Sequence, residues 1–159
     1  VHNTLIRVTI RLIKEAVRCS VEFICENVAT RRDSTTHAYW ELYEQWGFLW
    51  DIEEFKEFER VHGATRILVA HCAYDSKAQK HIELLCSRGL TDRALAILGD
   101  KKCKHPRHSE QAIGSDENGN SRAAATATYP PGLYRDLASL LTGIDYNYRA
   151  PAPRPQRSV

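Results

Sequence analysis

Val21-Glu22-Phe23-Ile24-Cys25-Glu26-Asn27-Val28-Ala29-Thr30 is the stretch on which a reading of the fold turns. Apolar residues surround Glu22 and continue through Phe23, Ile24 and Cys25. They give way to an acid and an amide, Glu26 and Asn27, with Arg31 and Arg32 soon after. Such a run predicts a buried strand presenting polar groups at its carboxyl end, where open α/β sheets hold their ligands. A second apolar run, Thr65-Arg66-Ile67-Leu68-Val69-Ala70-His71-Cys72, predicts another strand. Between the two, Asp51 and Glu54 suit a helix start, Ile52, Phe55, Phe58 and Val61 an apolar face, and Gly63 a helix stop. Strand, helix, strand is a parallel crossover unit. The expected architecture is a three-layer α/β fold with a mainly parallel, partial Rossmann-like sheet and helices on its faces.

Working outward, residues 3–19 place Leu5, Val8, Leu12 and Val17 at near-helical intervals, with Arg7, Arg11, Lys14 and Arg18 on other faces. This predicts an amphipathic helix packed on the sheet. Residues 80–87 fit either a short strand or a helical turn. Thr91 or Asp92 opens a helix that Gly99 can end. Residues 109–128 are polar, contain an Asn118-Gly119 turn signal and predict a surface loop. Tyr129-Pro130-Pro131-Gly132 announces a last helix, 133–141, burying Leu133, Leu137, Leu140 and Leu141. The Pro and Arg residues of 151–157 predict a disordered basic tail. The expected division is one domain over 1–143 and a tail over 144–159.

The 159 residues, 43% hydrophobic and 26% charged, suffice for one soluble domain with a real core. A formal charge of +2 is too mild to declare nucleic-acid binding, so any such role must rest on local clustering. No stretch approaches the roughly 18 apolar residues of a membrane helix. Cys19, Cys25, Cys72, Cys86 and Cys103 form an odd, scattered set, which favours a reducing, intracellular setting in cytoplasm or nucleus. The absence of methionine suggests that Val1 is a cut end within a longer product.

Cys103-x-His105-x-x-His108 brings three soft or borderline donors within six positions, a pattern suggestive of zinc. A fourth ligand could come from Cys86, Cys72 or His71 if the fold brings one near. The competing account is a basic loop with incidental histidines. His71 and Cys72 also suggest a thiol nucleophile and its base, but neighbours on a strand point to opposite faces. Trp40, Tyr43, Trp46, Phe48 and Trp50 form an aromatic cluster that either stacks exposed bases or caps the core.

Glu26-Asn27-Val28 at the end of an apolar strand resembles the Glu-Asn-Val motif of cytosine-C5 DNA methyltransferases. Divergent methyltransferase-like domains of phages and retroelement polyproteins are closer still. Their motif order is matched here by Glu26-Asn27-Val28, Cys72-Ala73-Tyr74-Asp75, Gln79-Lys80-His81-Ile82, Cys103-Lys104-His105-Pro106-Arg107-His108 and Tyr129-Pro130-Pro131-Gly132-Leu133. The resemblance implies a catalytic pair. Glu26, partly buried, would hydrogen-bond and protonate the ring nitrogen of a flipped cytosine, and Asn27 would support the loop. From position alone, Glu26 could equally cap the loop at Arg31 or a neighbouring helix.

The resemblance also implies phosphate contacts by Arg31, Arg32, Lys77, Lys80, Lys101, Lys102, Lys104 and Arg107, with DNA or another nucleic acid as partner. The chain departs from the family in having no Pro-Cys nucleophile and no glycine-rich turn for S-adenosylmethionine, and Asp75 stands where the turn glycine is usual. The missing elements belong to a half that would precede Val1. The implied protein is therefore the second half of a methyltransferase-like domain, inactive alone, whose other partner is the N-terminal remainder of the same polyprotein. The alternative is a non-enzymatic module in which the basic Cys/His loop, with or without zinc, holds nucleic acid.

Overall fold

The computed structural model describes residues 2–29, 48–106, 108, 110–111, 115–122 and 128–146. Its elements in chain order begin with α1 (His2–Arg18), β1 (Ile24–Val28), a 3-10 turn at Leu49–Asp51, α2 (Glu53–His62) and β2 (Thr65–Ala70). A second 3-10 turn (His71–Tyr74), β3 (Ala78–Gln79), β4 (His81–Cys86), α3 (Thr91–Leu98), β5 (Glu110–Gln111) and α4 (Pro131–Thr142) complete them.

The organising strand is β4. Five of its six residues are buried, Glu83 alone being half-buried, and it pairs antiparallel with β1 on one edge and β2 on the other. The sheet order is β1-β4-β2. This corrects the expected mainly parallel Rossmann-like sheet. The strands at Ile24–Val28 and Thr65–Ala70 do run the same way, but they are not neighbours. The segment whose apolar run fits strand or turn equally well inserts between them and reverses the pairing. A crossover count from strand, helix, strand cannot detect such an insertion, because pairing is non-local. The one parallel pair among the described residues is the two-residue β3–β5 contact.

Side chains alternate across β4 with period two. Ile82, Leu84 and Cys86 face a cluster completed by Ile67, Val69, Ala94, Leu98, Leu133 and Leu140, which brings α3 and α4 onto that face. Leu85 points the other way, into Ile10, Ile13, Trp50, Phe55 and Phe58 from α1, the turn and α2. Trp50 is 1% exposed and its indole N–H donates to the Val28 carbonyl at 3.2 Å, so this aromatic caps the core. Trp40, Tyr43 and Trp46 lie outside the described residues, as do 147–159 of the expected tail.

Local signals act where they are self-contained. Gly63 takes φ 66°, and the Ala64 N–H returns across it to the Phe58 carbonyl at 3.0 Å, closing α2 with a left-handed cap. In α1 the buried stripe is Ile10 and Ile13 with Ile6 packed beside them, whereas Leu5 and Leu12 are each 66% exposed. Both stripes have helical spacing and lie one residue apart, so periodicity does not choose between them. The isoleucines win by facing Phe23, Trp50 and Phe58. No helix among the described residues is long and apolar enough to cross a membrane.

Leu84, 1% exposed on the central strand, and Leu5, on the open face of α1, make a direct comparison. Leu84→Ala is expected to cost about 2–5 kcal/mol and Leu5→Ala less than about 0.5 kcal/mol in urea unfolding. Equal losses would refute this placement of the core.

Candidate metal centre

The strand β2 ends at Ala70, and the chain turns through His71–Tyr74 into Asp75 at φ 64°. That left-handed position is one glycine takes readily and aspartate tolerates. The turn sets His71 and Cys72 beyond the ladder, where they face different neighbours. His71 is 1% exposed and meets the Tyr129 ring edge-on at 5.4 Å. Burial, then the charge of Lys80, holds its imidazole down to about 4, so it is neutral at pH 7. Its Nε2 is buried without a hydrogen-bond partner among the described residues. Cys72, 5% exposed, turns instead towards Cys103. The two therefore do not form a nucleophile and base.

Two backbone contacts bring Cys103 to this turn. The Ala70 N–H donates to the Lys101 carbonyl at 2.8 Å, so the chain leaving α3 runs against the end of β2. Beyond the loop, β5 pairs with β3, which itself follows the turn. The segment carrying Cys103, His105 and His108 is thus pinned at both ends against the segment carrying Cys72.

The result is a four-donor cluster. The ligand atoms of Cys72, Cys103, His105 and His108 all lie within 4.8 Å of one another. Cys103 Sγ and His108 Nε2 are 3.0 Å apart, and the two imidazole rings are 5.2 Å apart, edge to face. A tetrahedral zinc with bonds of about 2.0–2.3 Å needs donor separations of roughly 3.3–3.8 Å, so the widest pairs must close by about 1 Å while Cys103 and His108, at 3.0 Å, open slightly. Burial, then the adjacent Cys103, pushes the Cys72 thiol up to about 12. The backbone N–H groups of Cys72 and Ala73 act in the opposite sense, as donors that stabilise a thiolate. The donor set, two thiols and two imidazoles, suits zinc, and four protein ligands leave no open position for substrate. Such a metal tethers two chain segments.

Of the three proposed fourth ligands, the fold selects Cys72. Cys86 is wholly buried in the other cluster, against α3 and α4, and His71 is turned to Tyr129. The lysines follow the same segments. Lys101 Nζ lies 5.6 Å from the Tyr74 ring centre, Lys80 Nζ lies 5.6 Å from that of Tyr129, and the Lys80 carbonyl accepts the His71 N–H at 2.9 Å. Lys77, Lys102 and Lys104 are exposed; Arg31, Arg32 and Arg107 lie outside the described residues.

Glu26 is exposed on β1, an edge strand, rather than partly buried. Its carboxylate neighbours the Tyr129 hydroxyl and, after burial itself, raises the phenol above its ordinary range. The Asn27 side-chain oxygen accepts the next N–H, that of Val28, at 2.6 Å, so its role is local. Neither residue reaches the metal cluster. Tyr129, which joins Glu26, His71 and Lys80, was not singled out by the sequence beyond its place before the two prolines.

Comparison of the chain with protein-family models, curated proteins and solved structures yields no match.

The five cysteines are all free thiols with distinct surroundings. Burial raises Cys25, with a smaller contribution from Glu26, and Cys86, each to about 11. Iodoacetamide at pH 7.5, followed by peptide mass spectrometry, is expected to label exposed Cys19 first and to spare Cys25 and Cys86. Cys103 should label in chelator and be protected by zinc. Labelling of Cys103 at the same rate with and without zinc would contradict the cluster.

Proposed function

We propose that this chain is a non-enzymatic nucleic-acid-binding module whose basic edge is held in shape by zinc at Cys72, Cys103, His105 and His108. The observation that carries the reading is the closed four-donor cluster itself. Four protein ligands make the metal a structural staple, and the segments it joins carry Lys77, Lys80, Lys101, Lys102 and Lys104. When bound, the metal supplies a rigid tether and neutralises the thiolates. The chain's own residues do the rest: the lysines meet phosphates, and the Ala70–Lys101 and β3–β5 contacts fix the loop that presents them. Free thiols throughout support a reducing, intracellular setting.

A methyltransferase-like role is a second reading, favoured by the accessible carboxylate of Glu26 beside Tyr129 and Lys80. It requires a second chain to supply a nucleophile and S-adenosylmethionine. Methyl transfer by such a complex, lost in Glu26→Gln, would favour it over the module.

Protein purified without chelators is expected to carry one zinc per chain by elemental analysis, and Cys103→Ser to carry little. With a fluorescein-labelled single-stranded oligonucleotide, binding should weaken steeply with salt. Lys102→Ala with Lys104→Ala should flatten the log–log salt slope by about 1.4, since each single-strand phosphate contact contributes about 0.7. Zinc-free protein, or an unchanged slope, would refute the module.

A further inference from the structure

A groove of about 1080 Å³, lined in part by Tyr74 and Lys101, opens between α3 and α4. Its size is just above the roughly 300–1,000 Å³ range of small-molecule sites. Tyr74, Ile97 and Gly132 line it, and Gly132 permits the close approach that shapes it: a Cβ there would lie 2.8 Å from Tyr74 Cδ1. The Tyr74 hydroxyl donates to Asp136 at 2.7 Å, which fixes the ring and occupies that carboxylate. Burial first, then Asp136, raises the phenol so that it stays protonated.

Three cations border the groove: Arg93, Lys101 and Arg135. One Arg93 nitrogen donates to the Leu140 carbonyl at 2.9 Å, capping α4 and leaving further donors of its guanidinium for other partners. Arg135 is exposed, and Lys101 is paired only loosely with the largely exposed Asp100, at 3.7 Å. The acids are Asp136, engaged by Tyr74, and Asp145, which has an interaction of its own. The rim also carries an aliphatic and an aromatic side chain. The Tyr146 N–H donates to Ser139 Oγ at 3.2 Å, holding Ile144 and Tyr146 at the mouth, 56% and 39% exposed.

We propose that this groove binds a nucleotide unit, its phosphate on Lys101 and Arg135 with Arg93 behind them, and its base against Ile97, Ile144 and Tyr146. Cations beside an apolar and aromatic wall match a ligand with an anionic end and a flat π-face. The inference deepens the module reading, because Tyr74 and Lys101 belong to the two segments that the metal joins. Metal loading therefore sets one wall of the groove.

The test is amide NMR of the ¹⁵N-labelled, zinc-loaded protein titrated with 2′-deoxyadenosine 5′-monophosphate and with a twelve-nucleotide oligo(dT). Arg135→Glu and Tyr146→Ala are surface variants for comparison. The expected result is shifts at Gly132, Ser139, Gly143 and Ile144 with both ligands, and binding weakened at least tenfold by Arg135→Glu. Oligonucleotide binding without those shifts, and undiminished in Arg135→Glu, would overturn the groove and leave the module standing. Mononucleotide shifts without oligonucleotide binding would support the groove and overturn the module. No shifts with either would overturn both.

Discussion

Everything in this chain depends on β4 being paired on both edges. A central strand with an apolar side chain on each face can bury its backbone polar groups only by completing both ladders, and β1 and β2 supply them in register from Ile24↔Cys86 and Thr65↔Cys86. That double pairing divides the hydrophobic residues into two clusters, one beneath α1 and α2 and the other beneath α3 and α4. It also fixes where β2 ends. The turn that carries Cys72, the loop after α3 and the groove between α3 and α4 are all arranged around that end.

The candidate site is built by backbone geometry before any metal is considered. Ala70 holds Lys101, β3 holds β5, and the 3-10 turn His71–Tyr74, closed by Asp75 in the left-handed region, carries Cys72 off the strand beside Cys103. Side chains spread over 37 positions in sequence, Cys72 to His108, then converge within 4.8 Å. Because both flanks are pinned independently, the cost of closing the loop is largely met by folding. A metal added to that arrangement need only adjust the spacing of four donors already gathered.

What was legible in the sequence was local. The Gly63 cap, the face of α2 with Phe55 and Phe58, the Pro-Pro start of α4 and the Cys103, His105, His108 spacing all depend on residues a few positions apart. What was not legible was non-local. Residues 81–86 carry a short apolar run that suits a strand or a turn, and nothing in the run says that its partners lie at Ile24 and Thr65. The parallel-sheet expectation failed there. Choosing Cys72 over Cys86 and His71 required the same long-range information, and Glu26 is exposed because β1 is an edge strand. Periodicity likewise left two stripes on α1, and only the packing against Phe23 and Trp50 separates Ile10 and Ile13 from Leu5 and Leu12.

The account stands or falls on what the four donors hold. Zinc K-edge absorption of the purified protein measures the ligand shell directly. Two sulfurs at about 2.3 Å and two nitrogens at about 2.0–2.1 Å are the shell predicted for Cys72, Cys103, His105 and His108. A shell of oxygen and nitrogen without sulfur, unchanged in Cys103→Ser, would contradict it.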